Sequence, residues 1–425
     1  MTERVKCKNK SCNAQILEST AEKNDGYCMP CIQRKEREAR QRYIEQHRKT
    51  IDPYEGVTDP VELIKRYHEN RPYDPLVEYK PLGYSIETVY QNLTEFDEYR
   101  LIKYSIQQVE DGNLDSIESI CIGLVAFRSS NLSMLLNYML KKKIYYPSIL
   151  FKNSGSDTVR VLLNEVHSDQ ENRNLILLAL AWANCKEVVS EFAIWRNCAP
   201  EWEDELYIPA YQYSKEAGWE LDSSNRKRNL FYERCYPLVP AKSRPSASTC
   251  NTFTPSDHDC HWCGRPLTNL LEIDLTDSKF GFLGIQGQLL KITTCDVCAS
   301  YSEAMYMEYD TLGHSRWSPY NVKPEYLPDE ANEWESVPNM PLVISIEARP
   351  AHYAAYEFLP TTFSQVGGMP TWIQDASYPV CPCCKSTMLF LAQISNDEID
   401  EHSEGVYYLY VCRNCKISAV NYQQT

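Results

Sequence analysis

Cysteine spacing constrains this chain more than any other feature. Of the eighteen cysteines in 425 residues, twelve form paired half-sites. They read Cys7-x4-Cys12 with Cys28-x2-Cys31, Cys260-x2-Cys263 with Cys295-x2-Cys298, and Cys381-x2-Cys384 with Cys412-x2-Cys415. Two thiolates so spaced can face one tetrahedral ion about 2.3 Å away, because a tight knuckle turns the chain back on itself. A second knuckle then closes the site. Closure by four thiolates leaves no position for water or substrate, which marks a structural ion rather than a catalytic one. The expectation is three structural zinc ions on these twelve residues, with Cys383 a spare thiol. The half-sites are separated by about 31 residues in the second set and about 27 in the third, longer than in common zinc fingers. His258 and His261 flank Cys260, and either can replace a thiolate.

The N-terminal residues, Met1-Thr-Glu-Arg-Val-Lys-Cys7, hold no apolar core of a signal peptide. No apolar run reaches the ~18 residues of a membrane span. A cytoplasmic protein is expected, and a reducing compartment favours zinc over disulfides. The net charge of -15 argues against nucleic acid, since neutralising phosphates needs clustered lysine and arginine. A basic protein partner suits it better.

The periodicity divides the chain into an α+β, multidomain arrangement with expected boundaries near Thr50, Gly112 and Leu230. Residues 1–50 combine the first zinc module with a basic, solvated helix over Arg34–Lys49, where Glu36 and Glu38 each precede an arginine by one turn. Residues 51–112 form a connector rich in proline and tyrosine, with one short helix over Pro60–Glu69. Residues 113–230 carry helical periods at Val159–Val166, Leu175–Trp182 and Val188–Trp195, fitting an α-solenoid of the HEAT type. Cys121, Cys185 and Cys198 lie here and are expected to be buried. Residues 231–425 switch to period two, with strands at Leu270–Leu275, Leu289–Thr294, Leu342–Glu347, Met388–Ile394 and Val406–Val411. This β-rich part holds the two later zinc sites, each bracketing a hairpin, and Ala241–Ser256 reads as a linker.

Outside the cysteines the most specific stretch is Gly367-Gly-Met-Pro-Thr-Trp-Ile-Gln374. Adjacent glycines in a chain with only fifteen mark positive φ or close approach, and Pro370 is expected to enter a strand carrying Trp372. Together with Cys381–Cys384, Met388–Gln393 and Tyr408–Cys415, this stretch resembles the bacterial YwqG-like family and the related programmed cell death protein family. The resemblance implies a β-domain that binds other proteins, some eukaryotic members being dedicated chaperones for a ribosomal protein. Leu178–Asn184, Val188–Trp195, Pro200–Trp202 and Ala217–Leu221 are similar to a helical module of immunity proteins from polymorphic toxin systems.

Catalytic patterns are absent: there is no Walker sequence, Gly-x-Ser-x-Gly elbow or His-Glu-x-x-His, and Gly281-x2-Gly284-x2-Gly287 lacks a strand-turn-helix setting. The chain reads as a non-enzyme. The leading expectation is a cytoplasmic immunity protein that occludes a basic toxin domain, with a chaperone for a basic client such as a ribosomal protein as the alternative. The acidic loop of Asp397, Glu398, Asp400, Glu401 and Glu404 is the candidate partner-binding segment, read as solvated.

Overall fold

The computed structural model describes residues 4–243, 245, 247–328, 340–356, 359, 361–400 and 403–424. The chain forms two compact units, Met1–Ile86 and Glu87–Thr425. In the first, β1 (Arg4–Lys6) pairs antiparallel with β2 (Gln15–Leu17), followed by α1 (Glu18–Lys23) and α2 (Met29–His47). Cys28 is the N-cap of α2 and Pro30 lies in its first turn, where a missing amide donor costs nothing. Cys31 alone is buried in α2, so the basic helix is solvated as expected. β3 (Lys49–Ile51) and β4 (Val77–Tyr79) pair in parallel around α3 (Pro60–Tyr67). The Asp59 carboxylate caps α3 by accepting from the Val61 amide at 3.2 Å. Val61, Leu63 and Ile64 turn inward.

α4 (Ile86–Gln91) spans the division, and α5 (Glu95–Glu110) opens the second unit's helical layer. The expected connector over 51–112 is therefore corrected. Prolines stop at Pro81, and a capping box between Thr94 and Asp97 starts a helix that buries Leu101, Ile102, Ser105 and Val109. A π-helical turn (Ile117–Cys121) leads into α6 (Ile122–Arg128), α7 (Ser133–Lys141), a 3-10 turn (Ser148–Phe151), α8 (Ser156–Ser168), α9 (Arg173–Ala183) and α10 (Lys186–Asn197). α9 is apolar on most sides because it packs against α8, the Ser148–Phe151 turn and the 3-10 helix Ala210–Ala217. Leu162, Leu177, Leu180 and Phe192 are fully enclosed, each burial stabilising by about 1.5–3 kcal/mol before entropy is counted. Of the three helical cysteines only Cys121 is buried, against the Ser105 hydroxyl; Cys185 is half-buried and Cys198 exposed, since both flank α10 rather than sit on its inner stripe.

β5 (Trp219–Leu221) and β6 (Lys227–Asn229) form a hairpin under the helices, with the Trp219 ring stacked on Phe192. β7 (Tyr232–Pro240), β8 (Cys250–Asp259), β9 (Pro266–Asp274), β10 (Leu289–Thr294), β11 (Met305–Tyr309) and β12 (Ser315–Trp317) follow. The last group is β13 (Leu342–Ile344), β14 (Arg349–Pro350), β15 (Gln365–Gly368), β16 (Leu389–Ser395), β17 (Val406–Cys412) and β18 (Ile417–Gln423). Among the described residues, the larger sheet runs β12-β11-β18-β17-β16-β15-β7-β13, with β14 also on β7, and every pairing is antiparallel. A second antiparallel sheet runs β10-β9-β8. Part of the expected linker 241–256 is thus strand: Cys250, Thr252 and Phe253 are buried in β8.

β17 shows why the period-two pattern there is almost wholly apolar. Tyr407, Leu409 and Val411 share a core with Leu271, Ile273 and Ile292 of the smaller sheet. On the opposite face Tyr408 meets the Trp372 ring at 4.9 Å and Tyr410 meets Tyr378 at 6.0 Å. Both faces of the strand are covered, so alternation in polarity is lost.

Gly367 and Gly368 have φ of +75° and +71°, as expected. They end β15, however, and no strand carries Trp372: the chain from Met369 to Ser377 lies across the sheet as irregular backbone. A Cβ on Gly367 would stand 2.3 Å from the Arg234 carbonyl oxygen, and the register between β15 and β7 shifts between the two glycines. They form a bulge that lets the chain leave the sheet.

Candidate metal centres

The first quartet joins a hairpin to a helix start. Cys7 and Cys12 lie between β1 and β2, where the Cys7 amide donates to the Ala14 carbonyl at 2.9 Å and the Cys12 amide to that of Asn9 at 2.9 Å. Cys28 and Cys31 occupy the first turn of α2, whose positive dipole end favours thiolates.

The second quartet ties both ends of the β9–β10 hairpin. Cys260 closes β8, and Cys263 sits in a knuckle held by the Gly264 amide donating to the Cys260 carbonyl at 2.8 Å. Cys295 follows β10, and Cys298 begins a 3-10 turn. Arg265 and Asp296, both nearly buried, approach to 3.7 Å beside it. The third quartet ties the ends of the β16–β17 hairpin in the same way, with Cys381 and Cys384 before it, Cys412 ending β17 and Cys415 in the turn to β18.

Within each quartet all four Sγ atoms lie within 4.8 Å of one another. Individual pairs are 3.7 Å (Cys12–Cys28), 3.8 Å (Cys260–Cys298), 3.6 Å (Cys263–Cys295) and 3.7 Å (Cys384–Cys412). A four-coordinate ion about 2.3 Å from each sulfur sets a tetrahedral edge of about 3.8 Å, whereas a disulfide requires about 2.05 Å. The pairs fit the first and exclude the second, and all eighteen cysteines are free. The twelve residues expected from spacing are the twelve brought together. Neither His258 nor His261 belongs to a quartet; His261 instead stacks on Trp317 at 4.8 Å. Cys384, not Cys383, joins the third quartet.

Donors around some of the sulfurs support the charged form there, whereas the neighbouring Cys260 thiol pushes Cys295 and Cys298 up and burial pushes Cys412 up. The Cys28 amide donates to Cys7 Sγ at 3.3 Å, the Trp262 amide to Cys260 Sγ at 3.4 Å, and Asn9 Nδ2 to Cys31 Sγ at 3.2 Å. The amide of Cys28, then that of Asn9, brings the Cys7 thiol down to about 7. Ser386, first through its amide, brings Cys384 to about 6. Such donors orient and stabilise metal thiolates. Sequence reasoning missed Asn9, whose amide side chain is an ordinary turn residue by pattern. It also missed a shared device: the residue four after the leading cysteine is left-handed in three knuckles, at Gly264 (φ +77°), Lys385 (φ +61°) and Lys416 (φ +55°). A single sequence with one glycine and two lysines there hides that equivalence.

The acidic loop is less solvated than its composition implies. The Glu398 carboxylate accepts from the Phe363 amide at 2.7 Å and the Ser364 amide at 3.0 Å, so it anchors a neighbouring segment. Burial nevertheless raises its pKa, outweighing these bonds. Asp397 accepts from the Ser395 hydroxyl and Asp400 from that of Ser403. Asp397 and Glu404 are exposed, while Glu401 lies outside the described residues.

No protein-family model matches the chain, and no solved structure matches it. No helix among the described residues is long and apolar enough to cross a membrane. The chain is 36% identical over 430 aligned residues to the uncharacterized protein YpfL of Salmonella typhimurium strain LT2, with 100% of each chain covered. Identity of that extent along both full lengths shows that the chain belongs to the same family as YpfL.

Proposed function

We propose that the three quartets hold zinc and that the chain is a cytoplasmic, non-enzymatic protein-binding protein, which neutralises a basic toxin domain by stoichiometric occlusion. The observation that carries this reading is the closure of all three sites by four cysteines. Such a site offers no open coordination position for chemistry, and soft thiolates in a tetrahedral set suit zinc. The ions then act as cross-links that hold a binding surface in place. Supporting it is the charge of -15, whose acidic excess lies in residues 87–425 while residues 1–86 are nearly balanced. An acidic surface steers a basic partner and raises its rate of encounter. The helices within residues 113–230, read as a HEAT-like stack, would extend that surface.

The test is co-expression with the product of a neighbouring toxin-like reading frame, followed by co-purification. The reading expects a 1:1 complex and rescue of growth only when this chain is at least equimolar. Rescue at catalytic amounts would overturn it, and recovery of an unassembled basic client would favour the chaperone reading.

A further inference from the structure

The third quartet differs from the other two in two respects. Its sulfurs are the least covered: Cys384 is exposed and Cys415 half-buried, whereas each of the other quartets has three buried cysteines and one half-buried. It also has a fifth thiol beside it. Cys383 is exposed and lies inside the knuckle that the Lys385 amide closes by donating to the Cys381 carbonyl at 2.9 Å. Its side chain stands within hydrogen-bonding reach of Cys415, which also meets the other three members of the quartet. The Tyr320 hydroxyl reaches Cys383 too, so the spare sulfur is held against the cluster rather than turned away from it.

Five thiols around four coordination positions leave one that is not needed for the ion. An accessible sulfur with a second thiol in contact is the arrangement in which oxidation to a sulfenic acid is followed by a disulfide. The other quartets, more covered and without a fifth cysteine, have no such partner. The sheet also tolerates loss of this ion better. β16 pairs with β15 as well as β17, and β17 with β18, so the hairpin can be untied at its open end while its strands stay paired. The hairpin tied by the second quartet lies in a sheet of three strands, with β10 at its edge.

We propose that Cys383 is an oxidation site for hydrogen peroxide, and that it passes the oxidation to Cys415 as a disulfide that expels the third ion. In the first step the Cys383 sulfur bonds to one peroxide oxygen, the O–O bond breaks, and the second oxygen leaves as water with the thiol proton. In the second, the Cys415 sulfur gives up its bond to the metal and attacks the Cys383 sulfur. The S–S bond forms, and the hydroxyl departs as hydroxide and takes a proton from solvent. Two electrons pass from the two cysteines to the peroxide, which ends as two waters. In a reducing compartment such a disulfide is transient, in keeping with a sensing role. The inference rests on the reading that the third quartet holds zinc, and not on the identity of a protein partner.

The test treats the zinc-loaded full chain with a small molar excess of hydrogen peroxide, follows zinc with a chromogenic chelator and maps disulfides by peptide mass spectrometry. One zinc equivalent is expected to leave as a Cys383–Cys415 disulfide appears, and dithiothreitol with added zinc is expected to restore it. Cys383→Ser is expected to load the same zinc and to slow its release tenfold or more. Cys198→Ser, which removes an exposed thiol outside every quartet, is expected to behave as the unmodified chain. Release from Cys383→Ser at the unmodified rate would overturn the proposal. So would disulfides confined to Cys381, Cys384, Cys412 and Cys415, or equal zinc loss from all three quartets; the disulfide map needs no variant to fold. If Cys412→Ser with Cys415→Ser, which removes a whole half-site, held as much zinc as the unmodified chain, the metal reading of this quartet and the inference would fall together.

Discussion

The Sγ atoms of Cys263 and Cys295 stand 3.6 Å apart although 32 positions separate them in the chain. That distance is the edge of a thiolate tetrahedron, and it closes the β9–β10 hairpin at its open end. Without an ion the same geometry crowds four sulfurs with nothing to attract them, so metal binding and local folding are linked.

Elemental analysis of purified protein is accordingly expected to find three zinc ions per chain. Cys295→Ser should lose one equivalent and unfold its hairpin, because apparent zinc-site free energies of roughly 10–16 kcal/mol exceed ordinary domain stability. Cys383→Ser should keep all three, since that sulfur belongs to no quartet. A value of two or fewer for the unmodified chain would show that a quartet is not a metal site.

Gly367→Val should lower stability by more than about 1 kcal/mol, read as a drop in melting temperature of a few degrees. Its backbone is left-handed, and an added Cβ would press on the Arg234 carbonyl and the Phe282 ring. Gly83→Ala is the control, because a Cβ added there meets nothing within 4 Å and the backbone has no positive φ. Equal melting of both variants would contradict the bulge.

Glu216 should make stability fall as pH rises. Burial lifts its carboxyl to about 7 from 4.5, even though it accepts the Ala376 amide at 2.7 Å. A raised folded-state pKa contributes stability that is complete below the unfolded value and is lost as pH climbs through the folded one. Between about pH 5 and 8 the loss should be on the order of 3 kcal/mol. Glu216→Gln, which keeps the acceptor, should flatten that slope in denaturant titrations at several pH values. An unchanged slope would mean that the carboxylate is already ionised at pH 5.

The acidic loop separates two roles that mutation can tell apart. Glu398→Ala should destabilise by about 1–3 kcal/mol, because it orphans the Phe363 and Ser364 amides. Glu404→Lys, whose side chain makes none of these bonds, should leave melting nearly unchanged and slow association with a basic partner, more at low salt than at high salt. Association kinetics measured by surface plasmon resonance would decide; a changed dissociation rate alone would place the contact face elsewhere.

The twelve metal-ligand candidates were legible from spacing because a knuckle is a local object: two cysteines and a tight turn carry their geometry wherever they fold. Helices α8 to α10 and strands β9, β10, β16 and β17 were legible for a similar reason, their apolar periods recording which face turns inward. Tertiary structure decided what local pattern does not encode. It made α5 a helix of the second unit rather than part of a connector, drew Cys250 and Phe253 from an apparent linker into a sheet, and set Glu398 under two backbone amides. It also set the spare thiol of Cys383 against Cys415 from the far half-site. Those relationships depend on contacts between distant segments, whose strength comes from excluding water jointly, and no residue's immediate neighbours in sequence carry that information.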